Sequence, residues 1–239
     1  STLEVTNGGN SDLQPDIVWI KNRDTTDNHR LFDSTGSTGS DGRHTIPDAN
    51  TAQGTNSAGG YLNGFNTDGF DLTDGSSNGD IVKNNGENYV SYQWKVNGGS
   101  TSSNTAGDVT TTIQSNATAG ISMMQYTGPN TGDDNANNSD TFWSLGHGLG
   151  VKPDMILLKG LDGAHGWYVW HKDFGTSVSQ SYMLLDNIVD NPGVATQSNG
   201  KMWGNTEFNS TLIEIGGWDV VNRNAQTYRV ICFASIQGY

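Results

Sequence analysis

Cysteine, positive charge and long apolar runs are all scarce in this chain of 239 residues. Cys232 is the single cysteine, which excludes an internal disulfide framework, and its place in an apolar, β-rich run predicts a buried and inert thiol. No run of about 18 apolar residues occurs, so we expect no segment that inserts into a membrane. No signal peptide is recognisable, and the first residue is Ser1 rather than Met, which leaves an upstream segment open.

Basic residues are outnumbered: Lys and Arg total 12 against 25 Asp and Glu, which gives a net charge of −13. An acidic surface repels phosphate backbones, so we expect no nucleic-acid partner, and anionic membrane surfaces are disfavoured for the same reason.

Motifs of the common catalytic centres are missing as well. The sequence has no HExxH or C-x-x-C pattern, no G-x-S-x-G elbow and no P-loop, and its five histidines lack zinc-ligand spacing. The glycine-rich stretch 146–150 precedes a strand rather than a helix, so it is predicted to be a turn and not a phosphate loop. We therefore predict a protein that is not an enzyme and has no cofactor.

Calcium is the one metal that the sequence leaves open, because two loops are rich in acidic residues. These residues are Asp68, Asp71, Asp74 and Asp80 in one loop and Asp133, Asp134 and Asp140 in the other. Calcium prefers oxygen ligands from such loops, but Asn138 stands where an EF-hand requires glycine. Turns formed by Asp and Asn account for both runs without a metal, so no metal site is predicted.

Glycine (32 residues) and aromatic residues (seven Trp, eight Tyr, seven Phe) are abundant. Glycine indicates many turns, and the aromatic residues favour packed cores over disorder. Short apolar runs alternate with turn clusters, and no window keeps a helical period. The sequence therefore predicts an all-β fold, an antiparallel, jelly-roll-like β-sandwich, with a long surface loop over Ser34–Gly60.

Blocks of the sequence occur twice. PDIVWIKN, from Pro15, returns as PDMILLKG, from Pro153, and Phe70 and Phe208 each fall 55 residues after their proline. IVKNNGENYVSYQW is then answered by VVNRNAQTYRVICF. Self-similarity in a fixed order indicates one structural unit used twice.

The repeat divides the chain into a first β unit (1–97), a Gly/Ser-rich linker (98–107) and a second β unit (108–239). The second unit carries an extra segment, 120–150, that has no expected counterpart because only fourteen residues precede Pro15. An arrangement in which both units share one sandwich core is left open.

Tryptophan offers the best candidates for a binding site, since exposed indole rings stack on sugars. We select Trp203, Trp143 and Trp218 as candidate ligand-binding residues, and expect Trp203 to be the most exposed because its neighbours are polar. The alternative is that all three pack in the core.

Eight blocks carry a resemblance to a known family. In chain order they read PDIVWIKNR, NHRLFDSTGSTG, FNTDGFDL, NGENYVSYQWKVNGG, MMQYTG, LGHGLGVKPDMILLK, WYVWHKDFG and TYRVICFASIQGY. Together they resemble a repeated, largely uncharacterised domain of tail-fibre-like and other virion structural proteins of tailed phages, cyanophages among them. The resemblance implies a β-sandwich module at the virion surface, a homo-oligomer whose partners are other virion proteins and a host-surface glycan or envelope protein.

Two other functions stay open. One is a capsid decoration or filament building block whose contacts are purely protein–protein. The other is a glycan-binding or glycan-degrading module.

Overall fold

The computed structural model describes residues 1–35, 42–55, 58–76, 81–129, 138–174, 181–186, 195–196, 202–204 and 208–237. The chain divides into two compact units, Ser1–Ser100 and Thr101–Tyr239. Almost all regular structure in the described residues is β, and the single helix among them, α1 (Asp219–Asn222), has four residues. The predicted all-β class is confirmed.

The first unit is a small antiparallel sandwich. Its strands are β1 (Thr2–Thr6), β2 (Ile17–Asn22), β3 (Arg30–Asp33), β4 (Tyr61–Asn66), β5 (Gly69–Thr73) and β6 (Tyr89–Trp94). They form two sheets, with the orders β1-β5-β4 and β3-β2-β6. Val18, Ile20 and Phe32 of one sheet pack with Phe70 and Leu72 of the other, and this shared core holds the two layers together.

The second unit is a larger sandwich. Its strands are β7 (Ser102–Asn104), β8 (Thr111–Asn116), β9 (Ile121–Thr127), β10 (Asn138–Gly146), β11 (Met155–Gly160), β12 (Trp167–His171), β13 (Ser181–Leu184), β14 (Ala195–Thr196), β15 (Leu212–Gly217) and β16 (Thr227–Phe233). One sheet has the order β14-β13-β12-β11-β16-β9-β8-β7, and the other is β10-β15. Ile156 and Val230 of the large sheet share a core with Leu145 and Ile213 of the small one.

The repeated sequence blocks take matching places in the strand order. β2 lies between β3 and β6, as β11 lies between β12 and β16, and β1 pairs with β5 as β10 pairs with β15. The register matches too. Ile17 is opposite Asp33 of β3 and Trp94 of β6, and its counterpart Met155 is opposite His171 of β12 and Phe233 of β16. That the two units superpose as whole repeats stays a prediction.

The aspartate of the Pro-Asp pair ahead of each central strand accepts hydrogen bonds from backbone N–H groups at one end of its sheet. Asp16 is fully buried. Its carboxylate accepts hydrogen bonds from the backbone N–H groups of Val96 (2.6 Å), Gly98 (2.9 Å) and Gly99 (2.6 Å), and from the Ser34 hydroxyl (2.7 Å). Gly98 and Gly99 have φ values of 62° and 78°, which glycine adopts without steric cost, and this turns both amides toward the carboxylate.

Asp154 is the counterpart of Asp16 and makes fewer contacts. Its carboxylate accepts a hydrogen bond from the backbone N–H of Ser235 (2.7 Å), the residue that corresponds to Val96. It also forms an ion pair with Lys172 (3.2 Å). Hydrogen bonding from Ser235, with a smaller contribution from Lys172, holds the pKa of Asp154 below its usual value. The side chain of Asp154 is 26% exposed, so we expect it to contribute less to the stability of its unit than Asp16 does.

A second pair of aspartates fastens the opposite end of the same strands. Asp24 accepts a hydrogen bond from the backbone N–H of Asn88 (2.6 Å), just before β6. Asp162 accepts one from Thr227 (2.5 Å), where β16 begins. Each central strand is thus tied to its neighbour at both ends by carboxylates that satisfy backbone donors.

Two parts of the sequence-based prediction need correction. The predicted linker 98–107 contains β7, which pairs with β8, so this stretch is not an unpaired spacer throughout. The extra segment 120–150 has a partial counterpart before Pro15, because β1 pairs with β5 as β10 pairs with β15, whereas no described strand of the first unit corresponds to β9. The predicted antiparallel sandwich is confirmed, and in the first unit the chain passes from one sheet to the other between β1 and β2, β3 and β4, and β5 and β6.

Part of the predicted surface loop Ser34–Gly60 also packs inward. Thr45 forms an antiparallel bridge with Leu31 of β3, and His44 forms one with Gly54. His44 and Thr45 are only 7% and 2% exposed, so this stretch covers β3.

Candidate functional site

The structure places Trp203 in the core, and the prediction that it is exposed is wrong. Its side chain is 0% exposed and its Nε1–H donates to the carbonyl of Ser181 (3.0 Å). The short segment around it runs beside β15, where Trp203 bridges Ile215 and Gly204 donates to Glu214 (2.9 Å). This added pairing turns the indole inward, and nothing in the polar local sequence indicates it.

Trp143 and Trp218 are partly buried and pack against the same core. Trp143 lies opposite Ile215 across the β10–β15 pair, so its side chain shares the face of that fully buried isoleucine. Trp218 makes edge and tilted ring contacts with Tyr168 (5.6 Å) and Tyr182 (5.7 Å). The predicted tryptophans therefore contribute to packing around β15, and no open platform of three indoles is formed.

Two histidines are also structural. His147 is fully buried; its Nε2 contacts the carbonyl of Asn209 (3.1 Å) and its Nδ1 accepts from the N–H of Leu149 (3.3 Å). Burial lowers the pKa of His147 and of His44, so both imidazoles are neutral at pH 7.

The acidic loop residues that the structure describes have protein partners. Asp68 accepts from the N–H of Leu13 (3.1 Å), Asp71 from the Asn66 amide (2.9 Å), and Asp74 pairs with Lys83. Asp80, Asp133, Asp134 and the side chain of Asp140 lie outside the described residues. Within the part of the chain that is described, no cluster of three or more His, Cys, Asp or Glu residues has the arrangement of a metal site.

Cys232 is buried within β16, which confirms the prediction made from its apolar neighbours. Burial raises the pKa of its thiol to about 12, so the nucleophilic thiolate is not populated near neutral pH.

A cavity of about 200 Å³ in the first unit is a candidate site, because its wall is mostly apolar. It lies at the edge of the sandwich, where β1 contributes Leu3 and Val5 and β6 contributes Tyr89 and Ser91. Its apolar wall is completed by Ile20, Phe70, Leu72 and Val82, and its polar lining by Lys83, Asn84 and Glu87. An apolar cavity with a few fixed polar groups is the usual form of a binding site.

Glu87 organises the polar side of the cavity. Its carboxylate accepts hydrogen bonds from the amides of Asn84 (2.9 Å) and the fully buried Asn22 (2.5 Å), and from the Tyr89 hydroxyl (3.1 Å). Burial, followed by the contact with Glu87, raises the pKa of Tyr89. The Tyr89 hydroxyl is therefore a hydrogen-bond donor with a fixed proton.

The cavity could not be predicted from the sequence, because most of its wall belongs to β1, β5 and the loop before β6. The available signal was the correspondence of Tyr89 with Tyr228 and of Val82 with Val221 in the repeat. That correspondence marked equivalent positions, but it gave no reason to expect space beside one copy and not the other.

Fold and site together define an all-β protein of two antiparallel units, with an apolar edge cavity in the first. Residues 4–239 match DUF7483, a domain of unknown function, and the chain belongs to this family. No curated protein and no solved structure matches the chain. In the described residues, no helix is long and apolar enough to cross a membrane.

Proposed function

We propose that this chain is a non-enzymatic virion surface protein, a module of a tail fibre or another appendage of a tailed phage. It acts by contact with neighbouring virion proteins and, through its outer loops, with a glycan or envelope protein of the host surface. It functions at the exterior of the particle as a homo-oligomer, in which many weak contacts add up to avidity.

The use of its acidic side chains is the observation that supports this proposal most strongly. Asp16, Asp24, Asp154 and Asp162 accept hydrogen bonds from backbone N–H groups at the ends of the central sheets. Carboxylates engaged in this way stiffen strand ends and loop bases. A rigid sandwich that presents loops suits recognition and assembly.

The resemblance of eight sequence blocks to virion proteins of tailed phages supports the same proposal. The blocks include the Pro-Asp pairs and the strands that follow them, so the similarity falls on the residues that build the sheets. This resemblance bears on the fold and on the place of the protein in a virion, and it identifies no ligand.

A capsid decoration or filament building block is the second candidate. One observation favours it: β6 is half-exposed along most of its length and pairs only with β2 among the described strands. An open strand edge is a common site of protein–protein contact.

Immunogold electron microscopy of native particles tests the proposal. Antibodies against this chain should label tail fibres or other appendages, and mass photometry should show a homo-oligomer. Label spread over the capsid or along a filament would favour the second candidate. A strictly monomeric protein that labels no particle would refute both, and new reducing ends after incubation with host polysaccharide would refute the non-enzymatic part.

A further inference from the structure

The two units differ most in what lies next to their last strand. In the second unit, β16 pairs with β11 on one side and β9 on the other, and its five central residues are buried. In the first unit, β6 pairs with β2, and no second neighbour is found among the described strands. Four residues of β6 between Tyr89 and Gln93 are half-buried, and Tyr92 is 55% exposed.

The outer backbone groups of β6 can be assigned from its ladder with β2. The hydrogen bond from Arg23 N–H to the Asn88 carbonyl (2.8 Å) makes these two residues a bonded pair in the register that sets Ile20 opposite Ser91. Bonded and non-bonded pairs alternate in an antiparallel ladder, so the N–H and C=O of Ser91 point away from β2. Val230, the counterpart of Ser91, faces β9 and is opposite Met124.

The cavity beside β6 corresponds to the place of an aromatic side chain in the second unit. There, Tyr126 of β9 stacks on Tyr228 (5.0 Å between ring centroids, 15° between planes), and its hydroxyl donates to the carbonyl of Val221. Tyr89, the counterpart of Tyr228, and Val82, the counterpart of Val221, both line the cavity of the first unit.

We propose that the β6 edge and its cavity form an acceptor site for a β-strand of another polypeptide. The strand would add to β6 in antiparallel orientation, as β9 adds to β16, with alternate large apolar or aromatic side chains directed into the cavity. Its chemistry is that of β9, Ile121-Ser-Met-Met-Gln-Tyr-Thr127, in which Met124 and Tyr126 point into the core. Strand addition gains main-chain hydrogen bonds along the edge and specificity from the cavity.

This inference goes beyond the proposed function and does not depend on it, because it concerns a strand edge whatever particle or cell the chain serves. Particle labelling and strand binding are separate measurements, so either can fail alone.

A synthetic peptide of residues 119–129, which contains the β9 sequence, is the probe for the intact chain. Amide hydrogen exchange followed by NMR should show new protection at Ser91 when the peptide is added, and little change at Val90 and Tyr92, whose amides already face β2. This alternating pattern is specific for an added strand and is not expected from binding elsewhere.

Matched variants separate the ladder from the cavity. Ser91→Pro removes an outward N–H without breaking a bond to β2 and should weaken peptide binding at least about tenfold, whereas Ser91→Ala should keep it. Peptides carrying Met124→Asp or Tyr126→Asp should also lose binding, and Gln125→Ala, on the opposite face, should not. The peptide variants leave the protein unchanged, so they remain informative if Ser91→Pro fails to fold.

Two results would overturn the proposal. One is the absence of peptide-induced protection at Ser91. The other is a free protein in which the Ser91 amide is already protected within a dimer, because a second copy would then occupy the edge.

Discussion

Replacement of Asp16 by alanine should destabilise the first unit far more than the matching Asp154→Ala change destabilises the second. Asp16→Ala leaves three backbone N–H groups and one hydroxyl without their buried acceptor. Hydrogen bonds to a charged group contribute about 1.5–3 kcal/mol each and are not additive. Because water can reach part of this turn once the side chain is removed, we expect a loss of about 3–5 kcal/mol in the free energy of unfolding.

Asp154→Ala removes one backbone hydrogen bond and an ion pair with an exposed lysine. Exposed ion pairs contribute about 0–1 kcal/mol, so the expected loss is about 1–2 kcal/mol. The difference between the two variants is then about 1–4 kcal/mol, and its middle value of about 2.5 kcal/mol corresponds to roughly a 70-fold difference in the unfolding equilibrium constant.

Native-state hydrogen exchange measures each unit separately, with the core amides of Ile20 and Leu158 as reporters. Asp16→Asn serves as a control of equal size: one amide oxygen can still accept, but the NH2 group faces backbone donors, so an intermediate loss is expected. Equal losses for the two alanine variants, or a smaller loss for Asp16→Ala, would refute the account of the Pro-Asp pairs.

Three further predictions concern buried side chains of the second unit. Burial lowers the pKa of His147 below its value in the unfolded chain (about 6.5), so the unfolded state binds the proton first as the pH falls. The free energy of unfolding should therefore decrease as the pH drops below about 6.5. In thermal unfolding, His147→Gln should make this decrease with pH less steep. An unchanged slope would show that other groups control it. Cys232 should resist a thiol reagent in the folded protein and react after urea unfolding; rapid labelling of the native protein would contradict its burial. Trp203→Ala should cost about 3–5 kcal/mol and Trp143→Ala clearly less, and similar values in urea unfolding would argue against the observed packing.

The sequence predicts the central strands well because their signals are local. Ile17–Ile20 and Met155–Leu158 are apolar runs that follow a Pro-Asp pair, and both begin central strands of their sheets. Tyr89, Trp167 and Leu212 likewise begin β6, β12 and β15, in stretches whose aromatic and β-branched residues favour strands. In each case, apolar burial and a preceding turn are readable from neighbouring residues.

Edges and side-chain directions are harder to predict because they depend on distant partners. β1 is short, with Leu3 and Val5 as its apolar residues, and it is held by its ladder with β5. Trp203 has polar neighbours, yet its bridge to Ile215 turns it into the core. The cavity lies beside β6 where the described part of the chain places no strand, whereas β9 flanks the equivalent β16, and only the strand order reveals this difference between two similar sequences.

Amide exchange of the free protein is the most direct test of the central claim, two related β units that differ at one strand edge. Ser91 and Val230 occupy equivalent places on β6 and β16, and only Val230 faces a described third strand. The account predicts fast exchange at Ser91 and strong protection at Val230, with Val90 and Arg229 protected alike. Equal protection at Ser91 and Val230 in a monomeric protein would contradict it.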